Sequence, residues 1–208
     1  FGCDRADCDT DWVFNRCREV QADPDYRIDL WAREHYKSTI VTFALTIQDI
    51  LNDPEQTFGI FSHTRGIAKG FLRQIMRELE SNRVLQDLFP EVLWRAPKTE
   101  APTWSEDGGI VVRRKGNPKE ATIEAWGLVD GQPTSKHFDN RIYDDVVVKE
   151  SVATPEQIRK VTEAWEMSLN LGKAAQGGPD VARYVGTTYH YHDTYAEIAK
   201  RKSATPRV

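Results

Sequence analysis

Short apolar runs alternate with helical periodicities along most of the chain, and this alternation is the strongest constraint on its fold. Strand-like runs occupy residues 26–32, 57–62, 121–129, 138–143 and 181–187, with a further one at "GIVVRRK" from residue 109. Between them, "STIVTFALTIQDIL" at 38–51 is long and apolar enough for a buried helix, and "NDP" stops it at 52–54. Ile67, Phe71, Leu72, Ile75, Met76 and Leu79 recur at helical spacing over 65–80, as do Ile158, Val161, Trp165 and Leu169 over 155–169. Residues 10–21 and 192–202 also read as helices, and 95–108, rich in Pro, Thr and Gly, as a loop. Strands that alternate with helices predict an α/β domain with a largely parallel central sheet flanked by helices. Ligands in such sheets bind outside the carboxyl ends of the strands.

Three polar stretches fall at those ends. "WAREHYKST" at 31–39 joins a strand to the helix that follows. A helix start carrying Lys-Ser is the arrangement of a phosphate-binding loop, where backbone N–H groups hold phosphate oxygens. Lys37 supplies a charge for the β and γ phosphates, and the Ser38 hydroxyl is a Mg²⁺ ligand. The loop has no glycine, and Tyr36 stands where the pattern's second one belongs. Tyr36 must then present its N–H from an unstrained backbone or bear a positive φ. The competing reading is a solvated helix start. "RIYDDVV" at 141–147 ends an apolar strand on two carboxylates, a Walker B pattern in which Asp144 serves Mg²⁺ and Asp145 polarises the attacking water; the alternative is an Asp-Asp turn. "YVGTTYHYHD" at 184–193 ends a strand in Gly186, Thr187 and Thr188, whose hydroxyls are candidates to lie beside the γ-phosphate.

Taken in order, these stretches resemble the large terminase subunit of tailed bacteriophages, from about Trp12 to Arg207. "AREHYKST" looks like that family's deviant phosphate loop, with Arg33 at its early arginine. "IYDDVV" looks like its Asp-Asp Walker B, and "YVGTTYHYHDTY" like its coupling motif, with Thr188 in place of an arginine. The resemblance implies a P-loop NTPase fold of the ASCE type and an ATPase that drives double-stranded DNA into a procapsid, using ATP and Mg²⁺. It implies Arg33, Lys37 and Asp145 as catalytic, and Arg33, Glu34, His35, Tyr36, Lys37, Ser38 and Thr39 around the nucleotide. Ser38 and Asp144 would hold the metal, and Gly186, Thr187 and Thr188 would couple hydrolysis to motion. The implied partners are DNA, the portal, a small terminase subunit and further copies in a ring, in the cytoplasm of an infected bacterium. The rival readings are a helicase-like P-loop ATPase and a non-catalytic nucleotide-binding scaffold.

A single ATPase domain is expected over 1–208, with a helical segment at 1–25 and a helix or linker at 192–208 leading toward a nuclease domain that this chain lacks. Phe1 suggests a fragment. The net charge of −4 gives no global basic field, so DNA contacts must be local or shared among subunits. No run is long and apolar enough to span a bilayer. Cys3, Cys8 and Cys17 read as free thiols, with a zinc site as the alternative. His190, His192 and Asp193 offer a second metal alternative against a structural role. Trp104 and Trp126 are candidates for base stacking, as is Trp165, whose helical spacing favours packing. Arg113, Arg114 and Lys115 form a basic run that is either a solvated strand edge or, at Arg113 and Arg114, an arginine finger for a neighbouring subunit.

Overall fold

The computed structural model describes residues 9–174, 177–178 and 180–207. Helix α1 (Asp11–Ala22) leads into β1 (Arg27–Asp29). Helix α2 follows; its first half, Thr39–Leu45, is π-wound and its second, Thr46–Asn52, is α. Then come β2 (Phe58–Ser62), α3 (Arg65–Ser81), α4 (Arg83–Leu88), α5 (Pro97–Glu100), β3 (Trp104–Ser105), β4 (Gly109–Ile110) and β5 (Ile123–Gly127). The chain continues through β6 (Asn140–Asp144), α6 (Pro155–Ser168), β7 (Val181–Val185), α7 (Thr194–Lys200) and β8 (Thr205–Pro206).

The strands form one sheet in the order β3-β4-β5-β2-β6-β7-β1-β8. Pairing is parallel from β5 to β8 and antiparallel only at β3 and β4. Strand β7 lies between β1, which leads into the candidate phosphate loop, and β6, which ends in the acidic pair. That inserted strand is the ASCE arrangement expected.

Side chains alternate between the two sheet faces. Ile60, Ile123, Ala125 and Ile142 pack under α2 and α3 with Ile47, Ile50, Leu72 and Ile75. Phe61, Tyr143 and Tyr184 face the other way, against Val161 and Trp165 of α6 and Tyr195 and Ile198 of α7. Phe61 and Tyr143 stack at 5.4 Å, and Tyr143 and Tyr184 at 4.8 Å. This aromatic row lies one residue before the C-terminal ends of β6 and β7. Because Tyr143 faces α6 and α7, Asp144 must face α2.

The helices start where side chains satisfy their first N–H groups. Thr154 and Gln157 make a capping box at α6, with Pro155 in the first turn. Asp193 caps α7. Several elements depart from the sequence expectation. The strand expected over 26–32 stops at Asp29, because the chain from Leu30 leaves the sheet to begin the turn that leads into α2. "GIVVRRK" is a strand only over Gly109–Ile110. The stretch 95–108 is not all loop, since it holds α5 and β3, and α4 and β8 add to the expected elements.

Candidate active site

The phosphate-loop candidate turns between β1 and α2 without glycine, by placing two residues in the left-handed region: Glu34 has φ 64° and Tyr36 has φ 60°. Such backbone costs an L-residue about 1 kcal/mol or more. Tyr36 offsets it through its ring, which packs with Val20, Ile40, Val41 and Val185. Lys37 follows and is buried, while Arg33, Glu34, His35 and Thr39 are exposed. The first N–H groups of a helix have no acceptor within it, so the start of α2 presents donors to an anion.

Ser38 and Thr42, four residues apart on one face of α2, both donate to Asp144: Ser38 Oγ to Oδ1 at 3.0 Å and Thr42 Oγ1 to Oδ2 at 2.5 Å. In the sequence Thr42 is hidden inside an apolar run, and its four-residue spacing from Ser38 is the one signal that marks it. The π winding that begins at Thr39 falls on this contact, and such windings concentrate at functional sites.

Asp144 is fully buried and its pKa is pushed up to about 7, first by desolvation and also by neighbouring Asp145; the Thr42 and Ser38 hydroxyls and the Lys37 charge oppose the rise. Asp145 is likewise raised by desolvation, against the pull of Lys37 and Arg33. It adopts φ 50°, and its N–H donates to Val185 O at 3.0 Å. Lys37 thus lies close enough to act on both carboxylates, yet it makes no ion pair with either among the described residues. The oxygen donors of Ser38 and Asp144 converge, and a hydroxyl with a carboxylate is a donor set that suits a small hard cation such as Mg²⁺.

The end of β7 completes the row. Asp29, Val185 and Asp144 are level across β1, β7 and β6. The Gly186 N–H donates to Asp29 O at 3.2 Å. A Cβ on Gly186 would meet Tyr195 Oη at 2.0 Å, so the close approach of α7 requires a glycine there. Tyr195 Oη donates to Val185 O at 3.0 Å, and its own pKa is raised well above the usual range by burial and by Asp144 and Asp145. Thr187 is half-buried and Thr188 exposed. Arg33 reaches across from the loop: its guanidinium lies 5.4 Å from the Tyr189 ring centre and hydrogen-bonds the Tyr189 hydroxyl. Neither Tyr189 nor Tyr195 is distinguishable in sequence from an ordinary packing tyrosine.

Other candidates fall elsewhere. Arg113 and Arg114 lie toward the opposite end of the sheet, since β4 runs antiparallel to β5. They are not a solvated edge: Arg113 sits 4.8 Å from the Trp94 ring centre, and Arg114 Nη2 donates to Glu120 O at 2.7 Å. Asp193 accepts from Ala196 N at 3.1 Å as the α7 cap, and no group of metal-holding side chains occurs among the described residues. Cys3 and Cys8 lie outside the described residues; Cys17 is a free thiol. Trp165 is buried in the core, Trp104 Nε1 donates to Glu80 Oε1 at 2.6 Å, and Trp126 lies under Arg65. No described helix is long and apolar enough to cross a membrane.

No family model and no curated protein matches the sequence. Among solved structures, the chain is similar to the large terminase ATPase domain of Thermus phage P74-26, with a TM-score of 0.55 and 15% identity over 91% of this chain and 73% of that one. At this identity the likeness is one of fold, and it is the fold of a terminase ATPase domain.

Proposed function

We propose that this chain is a Mg²⁺-dependent ATPase, the motor domain of a terminase that moves double-stranded DNA. The observation that supports this most is the meeting of two hydroxyls from the phosphate-loop helix with the buried carboxylate at the end of β6, beside a buried lysine. The N–H groups at the start of α2 and Lys37 would bind the β and γ phosphates. Ser38 and Asp144 would hold Mg²⁺, which supplies Lewis-acid charge to the phosphate oxygens when bound. Thr42 orients Asp144. Asp145 would take a hydrogen bond from the attacking water, with the Lys37 and Arg33 charges opposing the rise in its pKa that desolvation causes. Arg33, bridging the loop to Tyr189, would pass a change at the γ-phosphate to the segment after β7, with Gly186, Thr187 and Thr188 as the coupling stretch.

The P74-26 structure is named as a large terminase ATPase domain, and its role extends to this chain as part of the proposal. DNA, a portal, a small terminase subunit and neighbouring copies in a ring follow as partners, and the host cytoplasm as the place of action. A neighbour's arginine is worth about 10³ to 10⁵ in rate in related phosphoryl transfer, so the isolated chain should turn over slowly. Arg113 and Arg114 serve that role only if an interface frees them from Trp94 and Glu120. Steady-state phosphate release from Mg·ATP, with and without duplex DNA, tests the reading. Turnover that folded Lys37→Ala fully retains would refute it.

A further inference from the structure

The chain's last described residue, Arg207, joins three elements at the base of the phosphate loop. Its backbone N–H donates to Ile28 O at 3.0 Å, extending the β8–β1 pairing. Its Nε donates to Asp29 Oδ1 at 2.7 Å, with the two side chains 9% and 2% exposed. Its terminal nitrogens donate to Glu19 O at 3.1 Å and Asp23 O at 2.7 Å, at the end of α1. A guanidinium fork suits this task, since its donors diverge in one plane.

Asp29 is the last residue of β1, and the loop begins just beyond it. The strand is only three residues long and is held between β7 and β8, so the side-chain tie at its last residue adds to a short ladder in setting its axial position. That position matters because Asp29, Val185 and Asp144 share one row. A slide of β1 along its axis would carry Ser38 away from Asp144. Burial pushes the Asp29 carboxyl above its usual range, and Arg207 is foremost among the groups opposing that rise. Such a buried pair is screened little by salt.

We infer that Arg207 is a positioning residue for the nucleotide site: through Asp29 it fixes the height of β1, and so the placement of Lys37 and Ser38 against Asp144. The segment containing β8 thereby becomes a handle on nucleotide affinity, and displacement of β8 weakens binding without removing any group that touches nucleotide. This rests on the phosphate-loop reading above.

The test titrates a fluorescent ATP analogue with Mg²⁺ into the chain and its variants, alongside phosphate-release kinetics. Arg207→Gln should weaken binding at least about tenfold and raise KM in parallel, with kcat at saturation changed less than about threefold. Arg207→Lys, which keeps a cation for Asp29 but loses the fork, should fall between. The double variant Asp29→Asn/Arg207→Gln leaves no buried charge unpaired and serves if Arg207→Gln fails to fold; it too should bind weakly. Arg27→Gln, a change on β1 itself that breaks an exposed pair with Asp23 at the end of α1, should bind as the wild type does. A lower melting temperature with wild-type affinity in the folded variants would reduce Arg207 to a structural role and overturn the inference. A wild-type chain that binds no nucleotide would instead overturn the phosphate-loop reading, which separates the two failures.

Discussion

Strand β6 has a buried aspartate at each end, and the two meet different surroundings. Asp139, just before the strand, takes Thr57 N–H, Thr57 Oγ1 and Lys173 Nζ on one oxygen, at 2.8, 2.8 and 2.7 Å. Asp144, at the far end, takes two hydroxyls, has a second carboxylate beside it, and keeps Lys37 near but not paired. The first is a neutralised pair that holds the strand in place. The second is a carboxylate held up to about 7 by burial, short of positive charge, among donors suited to a phosphate and its cation. Burial of an acid alone is therefore not the mark of a site here. What distinguishes the candidate site is burial with no ion pair to the carboxylate among the described residues, Lys37 acting on it only from nearby.

The contrast predicts most at the two lysines. Lys37→Ala should reduce ATP turnover by about 10²–10³-fold or more, since it removes the cation beside the phosphates. Lys173→Ala should leave turnover within about twofold while lowering stability by about 1–3 kcal/mol, because it strands Asp139. Phosphate release and urea unfolding on both variants read the two effects, and a Lys173 variant with the larger kinetic defect would break the comparison. Next come the aspartates themselves. Asp144→Asn should abolish the Mg²⁺ dependence of nucleotide binding at little cost in stability. Asp139→Asn should lose about 3 kcal/mol and still bind Mg·ATP. Titrations with and without Mg²⁺ separate them. Asp145→Asn should bind nucleotide and fail to hydrolyse it.

A pH series sharpens the point. Because the folded-state pKa of Asp144 is pushed up to about 7, above its unfolded value, the folded chain binds the extra proton between about pH 4 and about pH 7. Stability contributed by this group therefore falls as pH rises across that window, by up to roughly 4 kcal/mol. Asp145 shifts in the same direction. The difference in unfolding free energy between wild type and Asp144→Asn, followed from pH 4 to 8, should show this slope, and a flat difference would contradict it. The smallest effect belongs to the loop. Tyr36→Gly relieves a φ of 60° but removes a ring packed on Ile40 and Val41, so the terms offset to within about 1 kcal/mol.

The difference between the two ends also explains what could be read beforehand. The α/β alternation, the parallel sheet and the positions of α3, α6 and β5 to β7 follow from periodicity, because each element buries one regular face. Lys37, Ser38, Asp144 and Asp145 stand out because polar groups interrupt apolar runs at strand ends. Thr42, Tyr189 and Tyr195 do not, since hydroxyl-bearing residues also serve as packing. β8 has two residues and no period, so neither it nor the Arg207–Asp29 pair is visible before the chain folds. "GIVVRRK" reads as a long strand by its branched residues. Gly109, at φ 83° with Ile123 O 2.3 Å from where a Cβ would lie, instead places it in a tight crossing that ends after Ile110.

The most direct measurement is a crystal structure of the chain with Mg²⁺ and a non-hydrolysable ATP analogue. The account predicts phosphate oxygens at the N–H groups of α2 and at Lys37 Nζ, the cation on Ser38 Oγ and the Asp144 side, and Asp145 facing the γ-phosphate. A nucleotide bound elsewhere, with the 3.0 Å bond from Ser38 to Asp144 intact and Lys37 untouched, would contradict it.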